Sequence, residues 1–260
     1  KGVFIMKIGI TEAGDASLNY EWTAKADTVD GMILITKNIT DKFIDEIMEV
    51  KDKTILHCSC TGYGGTVVEP NLPSYQEQIK QLHKLLSYGF DVKHVVLRID
   101  PIIPSLKGLE LVEKVLAYAK ETIPDLERVR VSIMDVYPHV YKRFEQKGLA
   151  DNLPYTNRKL TIGDFKSIDQ VLNKFQKRYG VKMEACAEPN LPSVYQIGCV
   201  SKYDLDILNL DMDDTYELKK QRPTCLCIAP KQELLTYKYN QTGYNHCYGC
   251  LYCYWKTELD

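Results

Sequence analysis

Apolar residues in this chain follow two rhythms that take turns. Short, nearly continuous runs rich in valine and isoleucine occupy residues 3–11, 31–36, 54–60, 94–99, 129–134 and 182–188. Runs this short and this β-branched, bounded by turn residues, predict strands with both faces covered. Between them, apolar residues recur three and four positions apart over residues 40–48, 74–88, 107–122, 138–147 and 162–179, with a shorter pattern at 204–209. That spacing predicts amphipathic helices. Thr40 is a cap-type residue ahead of Phe43, Ile44, Ile47 and Met48, and Ile79, Leu82, Leu85 and Leu86 form the stripe of the next helix.

Strands alternating with helices imply right-handed crossovers and a parallel sheet. Six such units fit an open doubly wound sheet or a barrel. No glycine-rich fingerprint follows the first strand, and polar residues gather at every strand end rather than at one switch point, which favours the barrel. The expected fold is therefore α/β, a partial six-stranded (β/α) parallel barrel over residues 1–200. Beyond residue 190 the periodicity fades, and residues 201–260 are expected to pack on the barrel mouth as a cysteine-rich metal-binding segment of the same structural unit.

Composition narrows the classes. With 260 residues, 45% of them hydrophobic and 26% charged, the chain can bury a generous core. A formal net charge of -2 provides no basic field to announce nucleic acid. The longest apolar runs fall far short of a membrane span, and no charged-then-apolar leader is seen, so the expectation is a cytoplasmic protein without membrane association. Five of the nine cysteines lie between Cys225 and Cys253, and the count is odd. A reduced compartment and a metal site suit that pattern better than a disulfide scaffold.

Those cysteines carry the candidate chemistry. Cys247, Cys250 and Cys253 stand two residues apart among Tyr248, Tyr252, Tyr254 and Trp255. Three thiolates from one loop leave a tetrahedral zinc one ligand short, whereas a cubane iron-sulfur cluster held by three cysteines keeps one iron open. Bare spacing leaves both readings standing, the first as a zinc knuckle completed by Cys225 or Cys227. Cys250-Leu251-Tyr252-Cys253 resembles the second half of the radical S-adenosylmethionine (SAM) pattern, Cys-x-x-x-Cys-x-aromatic-Cys. His246 falls where the first cysteine of that pattern would lie, with the thiol one place later; Cys247 is the preferred third ligand, and His246 the other candidate.

The strand ends form a second constellation. In a parallel sheet the groups at the carboxyl edge converge: Thr36, Lys37 and Asn38; Thr61 and Tyr63; Arg98 and Asp100; Asp135 and Tyr137; Glu184, Cys186 and Glu188. Arg98 and Asp100 share a strand face, so they either brace one another or meet a ligand. Lys37 reads as a solvated strand-end charge and Glu69 as structural. His57, His83, His94 and His139 show no ligand spacing. Cys58 and Cys60 share a strand face and read as small core residues. Cys225 and Cys227, with Cys199 and Cys186 as further candidates, can hold a missing ligand or a second metal.

A wider resemblance runs along nearly the whole chain. Ile35-Thr36-Lys37-Asn38, Thr61-Gly62-Tyr63-Gly64 with Glu69-Pro70-Asn71, Arg98-Ile99-Asp100-Pro101, Met134-Asp135-Val136-Tyr137, Cys186-Ala187-Glu188, Cys225-Leu226-Cys227 and Gly249-Cys250-Leu251-Tyr252-Cys253 resemble, in order, an uncharacterised prokaryotic domain-of-unknown-function family. That family carries a radical-SAM-like cysteine cluster at its C-terminus and is distantly similar to spore photoproduct lyase-type proteins. This chain departs from it at Glu12-Ala13, where the family has an Arg-Arg pair, and at His246-Cys247. The resemblance implies a radical SAM enzyme with a [4Fe-4S] cluster on Cys247, Cys250 and Cys253, and Cys225 and Cys227 as further metal ligands. From the tail aromatic and the converging strand ends, Tyr252, Thr36, Lys37, Asn38, Tyr63 and Asp135 are expected to bind SAM, with Arg98, Asp100 and Glu188 as catalytic residues. An external electron donor such as flavodoxin or ferredoxin would be needed, and the substrate, whether small molecule, peptide or nucleobase, is left open.

Overall fold

The apolar runs become the strands of one parallel sheet, and the helical stripes cover one of its faces. The computed structural model describes residues 6–153, 160–211, 226–236 and 247–254. In chain order the elements are β1 (Ile8–Ile10), α1 (Glu21–Lys25), β2 (Gly31–Thr36), α2 (Asp41–Met48), β3 (Thr54–Ser59), α3 (Tyr75–Ser87), β4 (Val95–Ile102) and α4 (Leu106–Thr122). There follow β5 (Arg128–Ile133), α5 (Pro138–Gln146), α6 (Ile162–Tyr179), β6 (Lys182–Ala185), β7 (Tyr195–Gln196), α7 (Lys202–Ile207) and β8 (Lys231–Glu233).

The sheet is eight-stranded and open, in the order β7-β6-β5-β4-β3-β2-β1-β8, with every neighbouring pair parallel. Consecutive strands lie side by side, so right-handed crossovers bring the connecting helices to the same face. Phe43 and Ile47 of α2, Leu82 and Leu85 of α3, Val112 and Leu116 of α4, and Leu172 of α6 are buried there against Leu34, Leu56, Leu97, Val131 and Met183. Thr40 caps α2 as its sequence position implied, accepting from Phe43 N at 3.2 Å.

Strand periodicity of two sends the alternate residues to the opposite face. Ile8, Ile10, Ile33, Ile55 and Val96 make a second apolar cluster with Leu205 of α7 and Leu208. Farther along the same face the side chains turn polar. Arg128 makes a paired bond to the Glu184 carboxylate, 3.0 Å from each nitrogen, and reaches Asp204 at 2.8 Å, while Arg130 bonds Glu184 at 2.9 Å. Asp204 also bonds the Ser201 hydroxyl at 2.6 Å in the capping box of α7, so this buried network ties that helix to the sheet.

The six expected strands are all present, but the six-stranded partial barrel is corrected to an eight-stranded open sheet. The two additions are the edge strands β7 and β8, of two and three residues, too short for a periodic signal and largely polar. They are held by backbone bonds: Ile8 N donates to Pro230 O at 3.2 Å and Leu234 N to Ile10 O at 2.8 Å. Among the described residues no strand pairs β7 with β8. The segments beside these two edges nevertheless meet, Ile228 N donating to Val200 O at 3.1 Å. Helix α1, which buries Trp22, is too short to be legible as a stripe. Among the described residues no helix is long and apolar enough to cross a membrane.

Candidate functional site

The carboxyl ends of β1, β2 and β3 supply the groups on which the cysteine tail rests. Asp15, in the turn after β1, is buried and gathers four bonds: from the Ser17 amide at 2.9 Å, the Ser17 hydroxyl at 2.8 Å, the Thr36 hydroxyl at 2.7 Å and the Lys37 amide at 2.8 Å. Burial still pushes its carboxyl up from the ordinary value. These bonds fix the end of β2, and Gln78 of α3 adds one to the Lys37 carbonyl at 2.9 Å.

The loop after β3 returns Glu69 to the same place. A Cβ at Gly64 would lie 1.9 Å from the Pro73 carbonyl oxygen, so the tight path of this loop requires glycine. Glu69 is fully buried. It bonds Lys37 Nζ at 2.9 Å and the Thr61 hydroxyl at 2.8 Å, and accepts a short bond from the Tyr252 hydroxyl. Lys37 Nζ also donates to the Tyr252 oxygen at 2.8 Å. Burial alone would raise the Glu69 carboxyl, but the Lys37 ammonium and the hydroxyls of Tyr252 and Thr61 outweigh it and hold it below its ordinary value. The solvated role read for Lys37 is thereby corrected: a buried carboxylate from a loop distant in sequence pairs with it.

Residues 247–254 lie across this edge. Tyr248 bonds the Ser17 hydroxyl at 2.9 Å, and its carbonyl accepts from Asn71 at 3.1 Å. Leu251 N donates to Val68 O at 2.9 Å. From α5, Arg143 donates to the Leu251 carbonyl at 3.0 Å and to the Cys253 carbonyl, and His139 bonds the Tyr254 carbonyl at 2.9 Å. Tyr254 stacks on Tyr137 with ring centres 6.0 Å apart. Gly249, at φ 67°, makes the turn into Cys250.

The tail thiols are therefore placed by the fold. Cys250 is buried with Sγ 3.8 Å from a Glu69 oxygen; burial pushes its thiol up to about 11, with Lys37 pulling the other way. Cys247 is pushed up to about 12, first by burial and then by Cys253, Asp15 and Cys250. Protons held this firmly would be released when a metal binds. Among the described residues no three His, Cys, Asp or Glu side chains already surround a point as metal ligands.

The other expected site residues distribute unevenly. Arg98 pairs with Asp100, which also accepts from Ser132. Glu188 accepts from Ile133 N at 2.9 Å. Tyr63 is buried in a cluster with Tyr248 and Tyr252, Asn38 sits at the end of β2, and Asp135 is exposed. Tyr252 anchors the tail through its hydroxyl. Cys227 groups with Cys199 and Cys186, while Cys225, His246 and Trp255 lie outside the described residues. Cys58 and Cys60 are in the core beneath the helices. Asp15 and Arg143 escaped the sequence reading; a carboxylate directly after a first parallel strand was the one available signal.

Residues 13–255 match the family described as Domain of unknown function (DUF1848). The chain belongs to that family. A comparison with curated proteins finds no match. The DUF1848 match begins just before Asp15 and ends just after Tyr254, so both the strand-end groups and the tail thiols belong to the family's domain. Arg143 offers a measure of how firmly the DUF1848 tail is held. Arg143→Met should remove its charge-assisted bonds to the tail carbonyls, at a cost of about 2 kcal/mol. The expected result is faster proteolytic cleavage after residue 246 with helix content unchanged, read by limited proteolysis beside circular dichroism.

Proposed function

We propose that this protein is a radical SAM-type iron-sulfur enzyme, with Cys247, Cys250 and Cys253 as the thiolates of a [4Fe-4S] cluster and SAM as its co-substrate. The observation that supports the reading most is the seating of the three-cysteine tail on the carboxyl edge of a parallel sheet, where α/β enzymes gather their ligands. The donor set fits: three thiols on one short segment, near the mostly buried Lys37 ammonium, which offsets the negative charge that thiolates bring. When bound and reduced, such a cluster supplies the electron that cleaves SAM to a deoxyadenosyl radical able to take hydrogen from a substrate.

The chain's own residues have separable tasks. Tyr252, Glu69 and Lys37 lock the tail to the sheet, and Tyr248 ties it to Ser17 beside Asp15. Arg98 and Asp100, on the face of β4 opposite the helices, offer a cation and a carboxylate to the charged ends and hydroxyls of SAM. Thr36, Asn38, Tyr63, Asp135 and Glu188 are the further candidates for SAM or substrate.

The test is anaerobic purification followed by reduction in the presence of SAM. The expected result is a brown protein that releases deoxyadenosine. Colourless protein with no iron or sulfide after anaerobic reconstitution would refute it. Arg98→Ala should keep the colour and most of the thermal stability, because both members of the pair are about a fifth exposed and Ser132 still bonds Asp100. Deoxyadenosine release should fall about 10–100-fold, the value of one charge-assisted bond. Normal release from the folded variant would remove Arg98 from the site.

A further inference from the structure

A second group of thiols lies at the seam where the two edges of the sheet approach each other. Cys186 follows β6, Cys199 follows β7 and Cys227 precedes β8, so the group draws on both edge strands. The backbones there are in close contact: a Cβ at Gly198 would fall 2.4 Å from Cys227 N, and Ile228 N bonds Val200 O at 3.1 Å. Cys199 stands between the other two thiols and interacts with both, its sulfur 3.8 Å from that of Cys186.

That distance has a chemical meaning. Metal–sulfur bonds of about 2.3 Å directed to the corners of a tetrahedron set neighbouring sulfurs about 3.8 Å apart. A cubane would hold thiolates on separate irons, and thus farther from one another. A thiolate centre partly buried at this point is favoured by positive charge, and Lys231 and Arg130 act on Cys199. Arg130 is almost wholly buried, with Nε and Nη1 unpartnered among the described residues. A buried guanidinium that keeps two donors unpartnered near Cys199, beyond its bond to Glu184, is costly unless a group there accepts from them.

We infer that Cys186, Cys199 and Cys227 form a second metal site, separate from the tail, which takes a single divalent ion of the zinc class with water in the fourth position and staples the seam of the sheet. As placed, the three thiols do not yet surround one point, so binding the ion would have to draw them together. The ion would supply across the seam a hold that strand pairing of β7 with β8 does not supply among the described residues, and its removal would loosen β8 from β1.

The full chain carrying Cys250→Ala, which lacks the tail site, is stripped with a chelator and titrated anaerobically with cobalt(II). One equivalent should bind with an intense thiolate-to-cobalt charge-transfer band and the visible absorption of tetrahedral cobalt, and the melting temperature should rise. Adding Cys199→Ser should abolish the band. Because the titration of the Cys250→Ala protein stands by itself, a Cys199→Ser variant that fails to fold leaves the question answerable. No charge-transfer band, an unchanged band in folded Cys199→Ser protein, a Cys186–Cys199 disulfide in protein purified anaerobically, or four irons with sulfide at this site would each overturn the inference.

Discussion

Cys250→Ala should leave a folded, colourless protein that releases no deoxyadenosine. The thiol lies on the segment anchored by Tyr248, Tyr252 and Arg143, so removing one sulfur leaves every one of those anchors in place. The loss of stability should be small. The loss of iron should be complete, because a three-thiolate centre has no spare ligand on this segment. Cys253→Ala should behave alike. Cys58→Ala is the control: that thiol is packed beneath the helices, and its loss should cost some stability but no iron. Iron and sulfide are measured with the visible spectrum on anaerobically reconstituted protein. Full iron and sulfide in Cys250→Ala would move the site away from the tail.

Glu69→Ala should have the largest effect on stability. It strands the Lys37 ammonium, mostly buried, and removes the acceptor of the Tyr252 hydroxyl, cutting sheet and tail apart at one point. Breaking a buried pair from one side costs roughly 3–5 kcal/mol, which in a chain of this size lowers the melting temperature by about 6–20 °C. The pH profile is the sharper readout. The Glu69 carboxyl is held below its ordinary value, so its contribution is present above about pH 4.3, the unfolded value, and is lost as pH falls through the folded one. Burial would lower the Lys37 ammonium, but Glu69 outweighs it and raises it, so that contribution is complete below about pH 10.4 and is lost only above it. The stability difference between wild type and Glu69→Ala should form a plateau between those limits and shrink outside them. Asp15, raised by burial, slopes the other way in both proteins and cancels in the difference. A difference independent of pH would mean that the pair contributes nothing.

The tail cysteines and the strand-end residues lie along one edge of the sheet for a reason that parallel topology supplies. Strands that run the same way end on the same edge, so residues such as Thr36, Thr61 and Arg98, far apart in sequence, had to share a neighbourhood once the sheet was parallel. What the tail would do there was not legible. Val68, Asn71, Glu69, Ser17 and Arg143 hold it, and none of them carries a pattern that pairs it with a cysteine segment far along the chain.

By itself the sequence determined the six principal strands, the longer helices between them and the parallel class, because each rests on local periodicity and, as at Thr40, on capping. It also marked the tail cysteines, whose spacing is a local property. Only the tertiary structure decided that Lys37 is paired rather than solvated. It alone set the Cys199 and Cys186 sulfurs 3.8 Å apart, and it alone added β7 and β8 at the edges. Those outcomes depend on contacts between residues from distant parts of the chain, and on strands of two or three residues held by backbone bonds to a neighbour. The backbone carries the same donors and acceptors whatever its side chains, so no side-chain pattern announces such pairing.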